Sequence, residues 1–377
     1  MSEAYIISAV RTPVAVGKPG GGLAPVAPVD LGALALKEAV CRAHVDASQV
    51  DDVIWGCVTP LRDQGANLAR LTVLKAGFPI EVPGVTLNRM CGSSQQAIHF
   101  AAQAILAGDM DIIVAGGTEM MSHQPLGADW PEEWPPDFPY DLVHQGVSAE
   151  MMAEKWQISR EELDDYAYRS HVKAVRAIEN GYFRSQILPV TRPDGRQVFE
   201  DEGVRRPPDR EKMATLKPVF KADGVISAGN ASQVSDAAAA LVIASARAAG
   251  RLNLTPQARI LARVVVGSDP VLMLDSPIPA TRRVLKKANL SIEDIDVVEI
   301  NEAFASVVLA WEMEIQPDMS RVNPNGGAIA LGHPLGATGA VLMTKLLHEL
   351  QRTGGRYGLQ TMCIGHGMAT ATIIERI

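Results

Sequence analysis

The last third of this 377-residue chain repeats, in character, a pattern that its first third already contains. A helical period, an acidic turn and a strand-like run over residues 36–58 recur over 281–300. The clearest stretch pairs Ala47-Ser-Gln-Val-Asp-Asp-Val-Ile with Leu290-Ser-Ile-Glu-Asp-Ile-Asp-Val-Val. A second pair, helical over 96–106 and strand-like over 110–115, recurs as 336–350 and 358–363. No repeat is exact. Short apolar runs alternating with helical periods, twice over, still leave an α/β architecture of two similar halves as the simplest solution.

The intervening sequence has a different composition. Residues 128–140 read Ala-Asp-Trp-Pro-Glu-Glu-Trp-Pro-Pro-Asp-Phe-Pro-Tyr, which is not the chemistry of a core strand. Helical periods follow at about 148–156 and 160–180, then a polar segment over 190–208. The expected organisation is a first half over 1–116, an insertion over 117–235, a return to the first half over 236–253 and a second half over 254–377. Within the first half, Asp30 is the expected N-cap of a helix over 31–44. Within the insertion, Arg205, Arg206, Lys217 and Lys221 are the candidate anion patch, or else a solvated charged face. The small, Ser/Asn-rich stretch over 224–240 suits either close approach to a ligand or tight helix packing.

The formal net charge of -8 gives no surface suited to nucleic acid or an anionic membrane. Four cysteines are too few and too scattered for a disulfide framework and lack metal-ligand spacing, so the expected setting is a reducing one, the cytoplasm. The N-terminus enters an apolar strand at once and resembles neither a signal nor a transit peptide. No apolar run reaches the roughly 18–20 residues of a membrane span. Gly17-Lys-Pro-Gly-Gly-Gly lacks the Gly-Lys-Ser/Thr ending of a phosphate loop.

One cysteine stands out by position. Leu87-Asn-Arg-Met-Cys91-Gly-Ser-Ser-Gln lies where a strand-like segment gives way to a helix. Free N–H groups and the positive end of the helix dipole there are expected to lower the thiol pKa. Small neighbours, Gly92 to Ser94, leave the sulfur approachable. A buried structural cysteine is the competing reading, and it stays open until base partners are found. Three stretches supply candidates: Asn301-Glu-Ala-Phe after a strand, Gly332-His-Pro in a glycine-rich loop before a helix, and Cys363-Ile-Gly-His-Gly at the last strand turn. Strand-end loops of α/β folds are where sites collect.

Read together, these stretches resemble the thiolases, the acetyl-CoA C-acyltransferases, from end to end. Ile6-Ile-Ser-Ala-Val-Arg-Thr-Pro, the Cys91 stretch, Gly116-Gly-Thr-Glu-Met-Met-Ser, Ala228-Gly-Asn-Ala-Ser, Asn301-Glu-Ala-Phe, Gly332-His-Pro and Cys363-Ile-Gly follow the family's order. The resemblance implies a duplicated five-layered α-β-α-β-α core with an inserted loop domain. It implies thiolytic cleavage of a 3-ketoacyl-CoA to acetyl-CoA and a shortened acyl-CoA through an acyl-cysteine. It assigns Cys91 as nucleophile, His333 as its base and Cys363 as the second acid/base. A thiol with a reference pKa near 8.5 exchanges protons close to neutrality, which suits that last role. Two oxyanion holes are implied, one from His333 with a water held by Asn301, the other from the N–H groups of Cys91 and Gly365. For coenzyme A, a substrate rather than a resident cofactor, the resemblance points to Ser232, Ala228, Phe220 and Arg205. Met121 and His144 would lie near the acyl or pantetheine groups. No metal is implied, and the partners are acyl-CoA, CoA and further copies of the chain in a homodimer or homotetramer.

Some positions depart from the commonest family pattern. His144-Gln-Gly stands where many short-chain members have His-Met-Gly, His366 interrupts a usual run of three glycines, and Met273-Leu-Asp-Ser-Pro replaces a Gly-bearing turn. These bear on substrate choice and favour a degradative enzyme for medium, branched or ring-derived acyl groups over an acetoacetyl-CoA thiolase. Direction in the cell stays open. A ketoacyl-synthase-type condensing enzyme is disfavoured by Cys363. A non-catalytic acyl-CoA-binding subunit is disfavoured by the intact set Cys91, Asn301, His333 and Cys363.

Overall fold

The computed structural model describes residues 3–377. Strands β1 (Ala4–Arg11) and β2 (Ala15–Val16) lead into α1 (Pro28–Arg42), β3 (Asp52–Gly56), α2 (Leu68–Lys75), β4 (Val85–Leu87), α3 (Ser93–Ala107) and β5 (Ile112–Met120). Next come α4 (Gln145–Lys155), α5 (Arg160–Glu179), β6 (Val190–Thr191), β7 (Gln197–Val198) and α6 (Arg210–Ala214). The chain returns through β8 (Ser235–Ser245) and α7 (Ala246–Leu252). The second half runs β9 (Ala258–Gly267), α8 (Pro277–Ala288), β10 (Val297–Ile300), α9 (Ala305–Ile315), α10 (Ala328–Leu331), α11 (Thr338–Thr353), β11 (Tyr357–Ile364) and β12 (Met368–Arg376).

The two halves carry the same strand pairing. In the first the order is β1-β8-β5-β3-β4, with β8 antiparallel to both β1 and β5, and β3 parallel to β5 and β4. In the second the order is β9-β12-β11-β10, with β12 antiparallel to both β9 and β11, and β10 parallel to β11. Residues Tyr5 and Ile6 pair with Arg259 and Ala258 and join the halves edge to edge. The correspondence matches α3 and β5 to α11 and β11, the elements whose sequences echo each other. The second half joins its last two strands by the tight turn Gly365-His366-Gly367, whereas the first half places residues 121–234 between β5 and β8.

Both sheets are covered on both faces, which is why their strands are nearly continuous apolar runs. Ile7 and Val10 of β1 face Leu31 and Leu36 of α1, while Ile6 and Ala9 face the middle layer. That layer contains Ile98 and Ile105 of α3 and Met343 and Leu346 of α11. On the far side, Ala369, Ala371 and Ile373 of β12 pack with Val284 of α8 and Trp311 of α9. The result is the five-layered order helix, sheet, helices, sheet, helix. The central helices meet closely: a Cβ on Gly339 would lie 2.2 Å from the Gln95 backbone nitrogen. Any side chain at Gly339 would therefore push α3 and α11 apart.

Several local expectations shift. Helix α1 starts at Pro28 with Ala27 as its N-cap, not at Asp30. Proline at the first turn has its φ already set and no N–H to satisfy. Asp30 instead sits in the first turn, where its charge suits the helix dipole, and pairs with Lys75 at 2.8 Å. Strand β5 runs on to Met120, past the expected boundary at 116, because Gly117 to Met120 continue the ladder with β8. No helix among the described residues is long and apolar enough to cross a membrane.

The inserted segment is fastened to both halves by buried polar clamps. Arg11 of β1 meets Asp201 through two bonds of 2.7 and 2.9 Å. Glu302, just after β10, accepts the Tyr166 hydroxyl at 2.8 Å and the Ser170 hydroxyl at 2.7 Å, both from α5. Each clamp sets where the insertion sits against the strand ends.

Candidate active site

The candidate residues converge at the ends of the parallel strands. Cys91 lies just before Gly92, the N-cap of α3, and follows Met90, whose φ of 46° is left-handed. That turn sets the thiol outside the helix proper, and the residue is 8% exposed. Burial is the largest influence on the sulfur and pushes its pKa up to about 11. The backbone N–H groups of Gly365 and of Cys91 itself act in the opposite direction, and the Glu119 carboxylate adds to the rise. The helix start therefore does not make a thiolate here, contrary to the sequence expectation. Desolvation outweighs the local dipoles.

His333 is buried, and burial lowers its pKa to about 4, so the imidazole is neutral near pH 7. Its Nδ1 lies 2.7 Å from Thr338 Oγ1. That hydroxyl donates to the Pro334 carbonyl at 2.9 Å, so it must accept the Nδ1–H. Nε2 is left with a lone pair, the state a base needs. Asn301 Nδ2 donates to Nε2 at 3.3 Å, and Asn301 Oδ1 is buried without a hydrogen-bond partner. The backbone N–H of His333 donates to the Gln233 carbonyl at 3.0 Å and the Ser235 hydroxyl at 3.2 Å. Ser235 N–H in turn donates to Met121 Sδ at 3.4 Å. Met121, Leu335 and Cys91 share one apolar cluster with Met362 and Ile364.

Cys363 is 1% exposed near the end of β11. Burial first, and the neighbouring Cys91 second, hold its thiol protonated well above the ordinary range. Cys91 therefore stands close enough to Cys363 to oppose the ionisation of its thiol. A cavity of about 310 Å³ opens against Cys91 and Gly365 and is lined also by Trp130, His144 and Leu335.

The remaining candidates lie outward from this cavity. Phe220 stacks on His144 with ring centres 5.1 Å apart and meets Phe304 edge-on at 6.1 Å. The Ser232 backbone N–H donates to the Ala303 carbonyl at 2.9 Å. Arg205 and Ala228 line a second cavity of about 460 Å³ together with His171, Lys212 and Gln233. Arg206, by contrast, is paired with Glu200 at 2.7 Å.

Three residues that hold the site were not singled out from sequence. Glu119 is fully buried and accepts from the N–H groups of Val58 at 2.7 Å, Gly336 at 2.8 Å and Thr59 at 3.1 Å. It ties the loop after β3 to the loop that follows His333. Glu302 adds Asn323 Nδ2 at 3.0 Å and Ile329 N–H at 3.1 Å to its two hydroxyl donors. Both carboxylates sit inside quoted motifs, and an acidic residue amid an apolar strand end was the available signal. Thr338 carried no signal beyond its five-residue spacing from His333.

Two buried thiols and a neutral imidazole, gathered at the strand ends of a duplicated α/β fold, are equipment for exchanging an acyl group between sulfur atoms. Residues 4–247 match the thiolase N-terminal domain and residues 254–376 the thiolase C-terminal domain, and the chain belongs to the thiolase family. It is similar to a steroid 3-ketoacyl-CoA thiolase of Mycobacterium tuberculosis, 52% identical over all of this chain and 95% of that protein. A beta-ketoadipyl-CoA thiolase of Acinetobacter baylyi is 43% identical over the whole of both chains. The crystal structure of a Bacillus anthracis acetyl-CoA acetyltransferase superposes with a TM-score of 0.92 at 41% identity, covering 100% of this chain and 99% of that one. The protein is thus an acyltransferase that cleaves 3-ketoacyl-CoA thioesters with CoA.

Proposed function

We propose that Cys91 is the nucleophile of this reaction and carries the acyl group between two half-reactions. His333 Nε2 takes the Cys91 proton as Sγ attacks the 3-keto carbon. The bond between carbons 2 and 3 breaks, the acyl group stays on Cys91, and Cys363 protonates the departing enolate to give acetyl-CoA. CoA then enters, its thiol proton passes to the Cys363 thiolate, its sulfur takes the acyl group from Cys91, and the Cys91 thiolate so released recovers its proton from His333. Negative charge on the thioester oxygens is met by the N–H groups of Cys91 and Gly365, and by His333 with Asn301. The observation that carries this reading is the Thr338–His333 hydrogen-bond chain, which leaves Nε2 basic. Intact-protein mass spectrometry with peptide mapping, after mixing with 3-ketoacyl-CoAs in the absence of free CoA, tests it. An acyl adduct on Cys91, short by the acetyl unit, is expected. An adduct elsewhere, or none from any substrate, would overturn it.

The 460 Å³ cavity with Arg205 and Lys212 suits the phosphate-bearing end of CoA. Phe220, Ala228 and Ser232, with His144 and Met121, are read as the pantetheine path, supported by Ala228 in the wall of this cavity and by the stacking of Phe220 on His144, which lines the Cys91 cavity. The acyl group is read as medium, branched or ring-derived and the direction as degradative. Support comes from the aromatic wall of the Cys91 cavity and from the similarity to a thiolase named for steroid substrates.

Leu71 and Leu74 of α2, Ile80 and Val85 are exposed beside the free edge of β4, which supports a homo-oligomer built on this edge of the first half. Four cysteines without a disulfide support a cytoplasmic setting.

A further inference from the structure

His366 is the one side chain presented at the tip of the β11–β12 turn, between Gly365 and Gly367. Its φ of 62° is a left-handed conformation that glycine adopts without strain and histidine does not. The ring is packed by aromatic side chains from the distant Pro- and Trp-rich segment. Trp130 lies 5.8 Å away, centre to centre, and Trp134 stands edge-on at 5.9 Å. Phe138 and Tyr140 extend the same row of rings. Gly365, beside His366, and Trp130, against it, both line the Cys91 cavity. Trp130 and Asp129 thus form part of the cavity wall, and the imidazole packs directly behind Trp130, with Trp134 against its other side.

Two polar atoms here lack partners. His366 Nδ1 is buried with no hydrogen bond, and so is Oδ1 of Asp129, which lines the cavity. Native proteins rarely leave buried polar atoms unpaired, and when they do at a cavity wall a ligand is the natural partner. Burial keeps the imidazole neutral, so it offers a hydrogen bond rather than a charge. The same segment carries Glu132, Glu133 and Asp137 besides Asp129. This concentration of negative charge disfavours an acyl group that ends in a carboxylate.

We propose that His366 is a specificity-determining residue: its Nδ1 hydrogen-bonds an uncharged oxygen, a ketone or hydroxyl, on a ring-bearing 3-ketoacyl group whose ring lies against Trp130 and Trp134. The proposal rests on the reading of Cys91 as the acyl-bearing residue. As a donor Nδ1 takes a ring ketone. As an acceptor it takes a ring hydroxyl. The carboxylate of Asp129 would accept only from the hydroxyl.

The test compares kcat/KM of the full-length enzyme on five CoA thioesters: 3-oxohexanoyl, 3-oxo-3-cyclohexylpropanoyl, its 4-oxocyclohexyl and 4-hydroxycyclohexyl counterparts, and 3-oxoadipyl. The wild type is expected to favour one oxygen-bearing ring over the plain ring by about three- to tenfold, the value of one neutral hydrogen bond. His366→Gly should abolish that ratio, and His366→Asn, which tolerates the left-handed backbone and keeps a polar group, should retain part of it. Trp130→Ala should lower the ratio of plain ring to linear chain. Each readout is a ratio within one preparation, so any loss of folded protein cancels. An unchanged oxygen preference in His366→Gly, or 3-oxoadipyl-CoA as the best substrate, would overturn the proposal. Cys91 acylated by 3-oxohexanoyl-CoA but with no preference among rings would overturn this proposal alone. Failure of every thioester to acylate Cys91 would instead overturn the reading it rests on.

Discussion

Thr338 Oγ1 holds Nδ1 of His333 at 2.7 Å while donating its own proton to the Pro334 carbonyl at 2.9 Å. The hydroxyl sits in the first turn of α11, five residues after the histidine, so the helix start fixes the imidazole's tautomer. Thr338→Val keeps the shape and removes the acceptor. The ring can then place its proton on Nε2, where it cannot serve as a base. A fall in kcat of about 10- to 100-fold with little change in KM is expected, the scale of one misaligned acid–base step. Thr338→Ser should recover most of it. Steady-state kinetics of both variants on one 3-ketoacyl-CoA check this, and equal losses in the two would sink the tautomer argument.

Burial at Cys91 makes a second expectation about the resting enzyme. With the thiol pushed up to about 11 and the imidazole lowered to about 4, both groups are neutral at pH 7. Almost all of the Cys91 sulfur is then protonated. Alkylation of Cys91 by iodoacetamide, followed by peptide mapping to separate it from the exposed Cys41, should rise about tenfold per pH unit from roughly pH 7 to 10. A plateau below about pH 8 would show a preformed thiolate and contradict the geometry.

The duplicated core was legible because its strands are buried on both faces, so apolar runs such as Ile112 to Ala115 mark them in any register of reading. Cys91, Asn301 and Cys363 could be singled out as candidates because each lies at the end of a strand or the start of a helix, and His333 because it stands in a glycine-rich loop between two helices. What was not legible is energetic. The helix start beside Cys91 pointed to a thiolate, and only the enclosure by Val58, Met121, Leu335 and Met362 reverses the sign. Nor could spacing reveal that Trp130 and Trp134 reach His366, a contact across more than two hundred residues that the insertion makes by folding back over the last turn.

Glu119 is the next place where burial decides the outcome. Its Oε2 accepts from Val58 and Gly336, and its Oε1 from Thr59. A glutamine must turn its NH2 towards one of these donors. Glu119→Gln is therefore expected to cost about 1–3 kcal/mol of stability, since a buried N–H loses its acceptor. Burial, the largest influence, raises the Glu119 pKa from 4.5 to about 7. Between those two values the native state holds a proton that the unfolded chain has released, so stability falls as pH rises through that window. Glu299, also raised to about 7 by burial, contributes a slope of the same sign. The buried neutral imidazoles of His333, His171 and His348, each lowered to about 4, work in the opposite direction below about pH 6.5, so the Glu119 contribution is read as a difference. Urea unfolding at about pH 5 and pH 7.5 should show the stability gap between the wild type and Glu119→Gln narrowing as pH rises. A gap that does not change between the two pH values would remove Glu119 from the explanation.

Arg205 tests the outer cavity. It is exposed, its backbone N–H donates to His171 Nδ1 at 3.2 Å, and its side chain shares the cavity wall with Lys212. Exposed charge contacts are weak, so Arg205→Ala should raise KM for CoA by only about two- to fivefold, and less at high salt. The same variant should leave KM unaltered for thiol acceptors that carry the pantetheine arm without the nucleotide, such as pantetheine itself. Phe220→Ala should do the reverse, raising KM for both acceptors, because its ring contacts to His144 and Phe304 lie nearer the thiols. Measuring KM for CoA and pantetheine in the two variants separates the ends of the path. Equal effects of Arg205→Ala on both acceptors would place the nucleotide elsewhere on the surface.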